Sequence, residues 1–156
     1  MKNIVFARID DRLIHGQVMT AWLKQCDANE IVIIDNELCK DTFVVMMMKS
    51  LIPKTITLKV FDDIESVDYL KSEGKEKILI LVKTPYAILN LVKNGIKLPY
   101  LNIGGMGMKG GRTKLYKNIA ASDEEREVFK ELKKYNLEMK VQVVPTERAE
   151  DLEKYL

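Results

Sequence analysis

The sequence predicts an α/β protein: an open, mostly parallel central sheet with helices on both faces. Three observations point there. Short apolar runs of strand length alternate with segments of helical periodicity along the whole chain. Runs such as Ile78–Val82 are apolar on both sides, as parallel strands covered by helices must be. No repeat, linker or low-complexity tract interrupts the alternation, so residues 1–156 read as one domain.

The elements follow in order. Residues 3–9 form the first strand, with Ile4 and Phe6 on one side and Val5 and Ala7 on the other. Residues 16–26 carry Val18, Ala21, Trp22 and Cys26 at helical spacing, with Trp22 as a core anchor. Glu30–Asp35 is the second strand. Residues 38–50 form a helix expected to turn Leu38, Phe43, Met46 and Met47 inward. Three successive methionines must nevertheless put one near solvent or a partner, which makes self-association an option.

Thr55–Phe61 is the third strand. Asp62 to Glu65 has capping-box spacing and opens a helix carrying Ile64, Val67 and Leu70. Lys77–Val82 is the fourth and most apolar strand. Thr84-Pro85 starts the next helix, and Gly95 ends it. Tyr100–Ile103 is the fifth strand. Ser122 to Glu125 is a second capping box, before a helix with Val128, Phe129, Leu132 and Tyr135. Met139–Val144 is the last strand, stopped by Pro145, and a short helix is expected from Thr146 onward. Right-handed crossovers then gather the strand carboxyl ends, and their loops, along one edge.

Composition excludes several functions. Net charge is +2 with acids and bases well mixed, against nucleic acid as the main partner. The longest apolar runs are far below the roughly 20 residues that span a bilayer. Met1-Lys2-Asn3 leads straight into a strand, not a signal peptide. Cys26 and Cys39 make neither a disulfide framework nor a zinc set, and with one histidine no metal site is expected. Both thiols are expected on apolar helix faces, outside any strand-to-helix loop. That usage fits a reducing cytoplasm.

One loop concentrates chemistry. Arg8-Ile-Asp10-Asp11-Arg12-Leu-Ile-His15-Gly16-Gln17 follows the first strand and holds the only histidine. In an open α/β sheet that position binds ligands. A helix start just beyond offers free N–H groups and a positive dipole to an anion. Gly16 lets the backbone turn sharply beside the imidazole. Lone histidines and Arg–Asp neighbours are more often structural or surface features, so position is what moves the odds. His15 is the candidate nucleophile for a phosphoryl group. Arg12 is the first candidate, and Arg8 the second, for stabilising phosphate charge through a guanidinium fork. Asp10 is better suited to orient an arginine or the imidazole. Backbone N–H groups near Gly16 and Gln17 supply neutral donors.

Residues 8–18, with Trp22 after them, resemble the N-terminal signature of IIB subunits of the mannose/sorbose family. These belong to the bacterial phosphoenolpyruvate-dependent sugar phosphotransferase system. The strand ending in Asp35-Asn36 and the Asn102-Ile-Gly-Gly-Met106 segment fit as well, so the likeness covers essentially the whole chain. The resemblance implies that His15 accepts a phosphoryl group from a phosphohistidine on a IIA subunit. It then passes the group to a sugar moved by membrane subunits IIC and IID. No cofactor is implied, and the chain would sit in the cytoplasm beside its membrane partners.

A second loop competes for attention. Residues 104–111 hold five of the eight glycines, and Gly105–Gly110 formally matches a dinucleotide GxGxxG. The alternative is therefore a nucleotide-binding protein using Gly104–Gly111. The pattern is weak, because no clear helix begins at its end. Lys109, Arg112, Lys114 and Lys117 follow or lie within it. They suggest either a solvated face or a mobile flap that docks an acidic or phosphorylated partner near His15.

Overall fold

The computed structural model describes residues 1–156. Seven strands form one sheet in the order β3-β2-β4-β1-β5-β8-β9. They are β1 (Asn3–Asp10), β2 (Glu30–Ile34), β3 (Thr57–Phe61), β4 (Lys77–Val82), β5 (Leu101–Gly105), β8 (Met139–Val141) and β9 (Glu150–Asp151). All neighbours pair parallel except β8 and β9. A separate antiparallel hairpin joins β6 (Thr113–Tyr116) to β7 (Ile119–Ala121). The helices are α1 (Gly16–Cys26), α2 (Thr42–Ser50), α3 (Asp63–Lys71), α4 (Pro85–Lys93) and α5 (Asp123–Lys134). None is long and apolar enough to cross a membrane.

The expected α/β sheet is present, and two apolar layers sandwich it. On one face Phe6, Ile31, Ile33, Leu79 and Leu81 pack with Trp22 and Leu23 of α1. On the other, Ile9, Val32, Ile80 and Ile103 pack with α3, α4 and α5 through Leu70, Ile88 and Phe129. Both faces of the central strands are therefore covered, with Arg8, Asp10 and Asn102 as buried polar exceptions. Ser122 and Glu125 form the reciprocal capping box at α5. Asp62 caps α3 by accepting from the Glu65 N–H.

Several local expectations are corrected. A register shift between Ile4 and Phe6 puts Ile4 in the layer of Ala7 and Ile9, not with Phe6. In α2, Phe43, Met46 and Met47 face outward, while Val44, Val45 and Met48 pack inward. Helical phase allows only one stripe to meet the sheet, and β-branched Val44 and Val45 take it. Ile64 and Tyr135 are likewise exposed. The expected last helix is instead β9 and a 3-10 turn over Leu152–Tyr155. Leu152 buries there as a single anchor, too little for an amphipathic helix. The β6–β7 hairpin was not expected, because glycine and lysine masked its short strands.

Candidate functional site

β1 lies at the centre of the sheet, between β4 and β5. Its loop enters α1 on one face, whereas the chain leaves β4 and β5 for helices on the other. The His15 loop therefore opens into the crevice where chain direction diverges, the usual ligand position in such sheets.

The site is built on Asp10, whose side chain is fully buried. Its two oxygens accept from Arg8 Nη2 (3.0 Å), Arg12 Nε (3.1 Å), Arg12 Nη2 (3.2 Å), the Arg12 backbone N–H (3.1 Å) and His15 Nε2 (2.9 Å). Burial alone would raise the Asp10 pKa. Hydrogen bonds from Arg12 and His15, with the Arg8 charge, outweigh it and hold the carboxyl below its usual range. Asp10 is thus an ionised acceptor, and His15 Nε2 must be the N–H that donates to it. In the neutral ring the lone pair then lies on Nδ1. The His15 side chain is 21% exposed, enough to be reached but held in one orientation.

Local backbone geometry delivers the imidazole there. The Leu13 N–H donates to the Asp10 carbonyl at 2.9 Å, closing a turn. Leu13 itself has φ 55°, a left-handed conformation made tolerable by burial of its side chain. Gly16 follows at φ 46°, where a side chain would be strained. His15 occupies the N-cap of α1 without capping it, and the first turn carries no acidic residue. The N–H groups of Gly16 and Gln17 therefore remain available to an anion beside the ring.

The two arginines part company. Arg12 is 51% exposed in its side chain and stands at the rim. Arg8 is fully buried, so the expectation that it offers a second fork to phosphate is corrected. Its Nη1 donates to Asn102 Oδ1 at 2.6 Å and to the Gln142 carbonyl at 3.1 Å. Its guanidinium carbon lies 5.5 Å from the Trp22 ring centre, and Trp22 Nε1 donates to the Val143 carbonyl at 2.9 Å. Arg8 positions Asp10 and does not meet solvent. Gly104 exists for the same reason, since a Cβ there would overlap the Arg8 guanidinium. Trp22, expected only as a core anchor, and Asn102, which no expectation assigned, both support Arg8. An amide inside an apolar strand opposite an arginine was the available signal for Asn102.

The glycine-rich segment is fastened rather than free. Arg112, expected on a docking flap, is buried and grips Glu125 through Nε (2.9 Å) and Nη2 (2.8 Å). Its Nη1 donates to the Gly107 carbonyl (2.9 Å) and approaches Asp11 Oδ2 (3.4 Å), which also accepts the Gly107 N–H at 2.7 Å. Lys109, Lys114 and Lys117 remain exposed. Gly104 and Gly105 belong to β5, and the segment after Gly110 leads into β6, not a helix. The nucleotide alternative fails there, because the pattern needs a helix N-terminus to meet a pyrophosphate.

The thiols offer no rival acceptor. Cys39 does lie in the connection after β2, contrary to expectation, in a 3-10 turn at Leu38–Lys40. Its pKa is raised, first by burial and then by Asp62 and Glu65, which suppresses the thiolate. Burial pushes Cys26 up to about 11. No group of three or more His, Cys, Asp or Glu side chains converges as a metal site.

The family model for the PTS system sorbose subfamily IIB component matches residues 4–156. The sorbose-specific EIIB component of Lacticaseibacillus casei is 34% identical, over 96% of this chain and 92% of that protein. The N-acetylgalactosamine-specific IIB component 2 of Escherichia coli K12 is 34% identical over the full length of both. The crystal structure of the IIBSor domain of the Klebsiella pneumoniae sorbose permease superposes with a TM-score of 0.93 at 30% identity. That match covers 97% of this chain and 95% of that one.

Proposed function

Since the chain belongs to the sorbose subfamily of phosphotransferase-system IIB components, and is thereby a phosphoryl carrier for sugar uptake, we propose that His15 Nδ1 carries the phosphoryl group. One observation supports this reading above the others. Ionised Asp10 holds Nε2 as a donor at 2.9 Å, leaving Nδ1 as the nitrogen able to attack phosphorus.

In the first step the Nδ1 lone pair attacks phosphorus, and the P–N bond to a phosphohistidine of the IIA donor breaks. In the second, a sugar hydroxyl attacks, the His15 P–N bond breaks and the hydroxyl proton is lost. Such transfers ask for in-line positioning and for cationic stabilisation of the equatorial oxygens. Arg12 supplies the mobile charge. Arg8 and Arg12 against Asp10 leave the cluster one net positive charge, and only Arg12 has solvent into which to swing. The Gly16 and Gln17 N–H groups supply neutral donors from the α1 N-terminus. Asp10 orients the ring and stabilises the imidazolium-like charge that develops on it.

The chain acts as a whole as this carrier, a protein-Nπ-phosphohistidine–sugar phosphotransferase component. It works at the cytoplasmic face beside membrane subunits IIC and IID. The sugar is of the kind that its relatives are named for, which include sorbose, N-acetylgalactosamine, mannose and fructose. The test is phosphorylation by phosphoenolpyruvate, the general carriers and a cognate IIA. Acid-labile, alkali-stable phosphate should form on the intact chain. Label retained in His15→Ala would refute the assignment.

A further inference from the structure

We propose that Asp11 is a positioning residue for phosphoryl transfer, acting on Arg12 through the turn that follows β5, given that Arg12 serves a phosphoryl group on His15. Asp11 stands one residue from Arg12 and four from His15 in sequence. A negative charge there opposes an incoming phosphate. Yet the carboxylate is not turned out into water. Its side chain is only 21% exposed, and Oδ2 accepts the Gly107 N–H at 2.7 Å and lies 3.4 Å from Arg112 Nη1. A charge-assisted bond to a backbone N–H 96 residues away fastens one loop to another.

Two further ties hold the same turn. The Asp11 N–H donates to the Gly105 carbonyl at 3.1 Å. Arg112 Nη1 donates to the Gly107 carbonyl at 2.9 Å, while Glu125 of the α5 capping box holds Arg112 Nε and Nη2. Gly107 thus has its N–H bound by the His15 loop and its C=O bound from α5.

The fastened turn is the wall beside Arg12. β1 and β5 slip register between Ile9 and Asp10, which sets Asp10 opposite Gly105. A methyl on Gly105 would come within 2.9 Å of Asp10 Oδ1 and 3.3 Å of Arg12 Nη2. The Arg12 guanidinium therefore rests against the bare Gly105 backbone while it bonds Asp10, its one ion-pair partner. Releasing Gly107 would let residues 105–107 lift, and Arg12 would lose the surface that aims its fork. Phosphoryl transfer is sensitive to ångström-scale misplacement of such a group.

The charge of Asp11 and its bond to Gly107 pull the rate in opposite directions, so two variants separate them. The experiment follows label passing from a phosphorylated IIA donor to the intact chain. Asp11→Ala loses the bond but leaves the buried Arg112–Glu125 pair in place. Its kcat should fall roughly tenfold with KM for the donor unchanged. Asp11→Asn keeps an amide oxygen for the Gly107 N–H, and its kcat should return to within about threefold of the parent. In an Arg12→Ala background, Asp11→Ala should cost nothing further, because its effect runs through Arg12. On the unphosphorylated chain, exchange of the Gly107 amide proton should quicken in Asp11→Ala and stay slow in Asp11→Asn.

Transfer to Asp11→Ala at the parent rate or faster would overturn the proposal, leaving Asp11 as a repulsive charge only. So would a raised KM in place of a lowered kcat, which marks donor docking. No recovery in Asp11→Asn, or an undiminished loss in the Arg12→Ala background, would overturn it as well. If the parent takes no label on His15, the carrier assignment fails and this proposal with it. If the parent is labelled there and the Asp11 results differ from these, this proposal fails alone.

Discussion

Two regions of this molecule use cations in opposite ways. At the centre of the sheet, Arg8 and Arg12 are bonded to Asp10, and Arg8 is further fixed by Asn102, Gln142 and Trp22. At the β3 margin, Lys49 stands exposed without a carboxylate, while Lys59 lies over the Tyr69 ring at 5.1 Å. The centre is a preorganised device, with Arg8 and Asp10 fixed before any ligand arrives. The margin is a surface with no buried charge cluster to protect. Cost of disruption should separate the two. Losing one member of a buried charge cluster strands the others, whereas altering an exposed lysine strands nothing.

The largest effect belongs to Arg8. Arg8→Ala should cost about 3–5 kcal/mol in urea unfolding, because Asp10 would remain buried without one of its two guanidinium partners. Lys49→Glu should stay within about 0.5 kcal/mol of the parent. Equal costs would abolish the contrast.

Next is Gly104→Ala, expected to destabilise by about 1–3 kcal/mol, since its methyl meets the Arg8 guanidinium. In an Arg8→Ala background that penalty should shrink, which a double-mutant cycle measures. An undiminished penalty would mean that Gly104 serves the backbone and not Arg8.

Asp10→Asn should lower the rate of phosphoryl acceptance roughly 10²-fold or more, by losing the charge that fixes and stabilises the ring. Its pH signature is equally specific. Burial would raise the Asp10 pKa, but its bonds hold it down; Glu125 is likewise held down by Arg112 and the Ser122 N–H against burial. A carboxyl lowered in the folded state adds stability above its unfolded pKa of about 4. That stability drains as pH falls through the folded value. Urea midpoints should therefore drop below about pH 4, less steeply in Asp10→Asn and in Glu125→Gln at a lower plateau. An unchanged acid limb in both variants would contradict the linkage.

The smallest effect is assigned to Lys109→Ala. Lys109 is exposed and outside the buried Arg112 network. Initial rates of phosphoryl acceptance should change by less than about threefold, and stability by less than about 0.5 kcal/mol. A larger loss of acceptance would restore the glycine-rich segment as a donor-docking element.

The central region was partly legible in the sequence. Charged residues ending an apolar strand before a helix placed Asp10, Arg12 and His15 at the right edge. Which arginine faces solvent was not legible. Period-two alternation sends Arg8 toward α1, but only the Trp22–Asn102 cage, formed by residues distant in sequence, makes that burial tolerable. Arg112 was misread for the same reason, as its partner Glu125 belongs to a capping box one element later. The marginal region was less legible still. Three adjacent methionines fit several helical phases, and only packing shows that Val44 and Val45 win the inward stripe. The short strands β6, β7 and β9 run four residues or fewer, too short to register a period.

The most direct measurement is nuclear magnetic resonance of the phosphorylated chain labelled with ¹⁵N-histidine, reading which ring nitrogen couples to phosphorus. Phosphorus on Nδ1 of His15, with Nε2 still protonated against Asp10, is the predicted result. Coupling to Nε2, or phosphate on any other side chain, would contradict it.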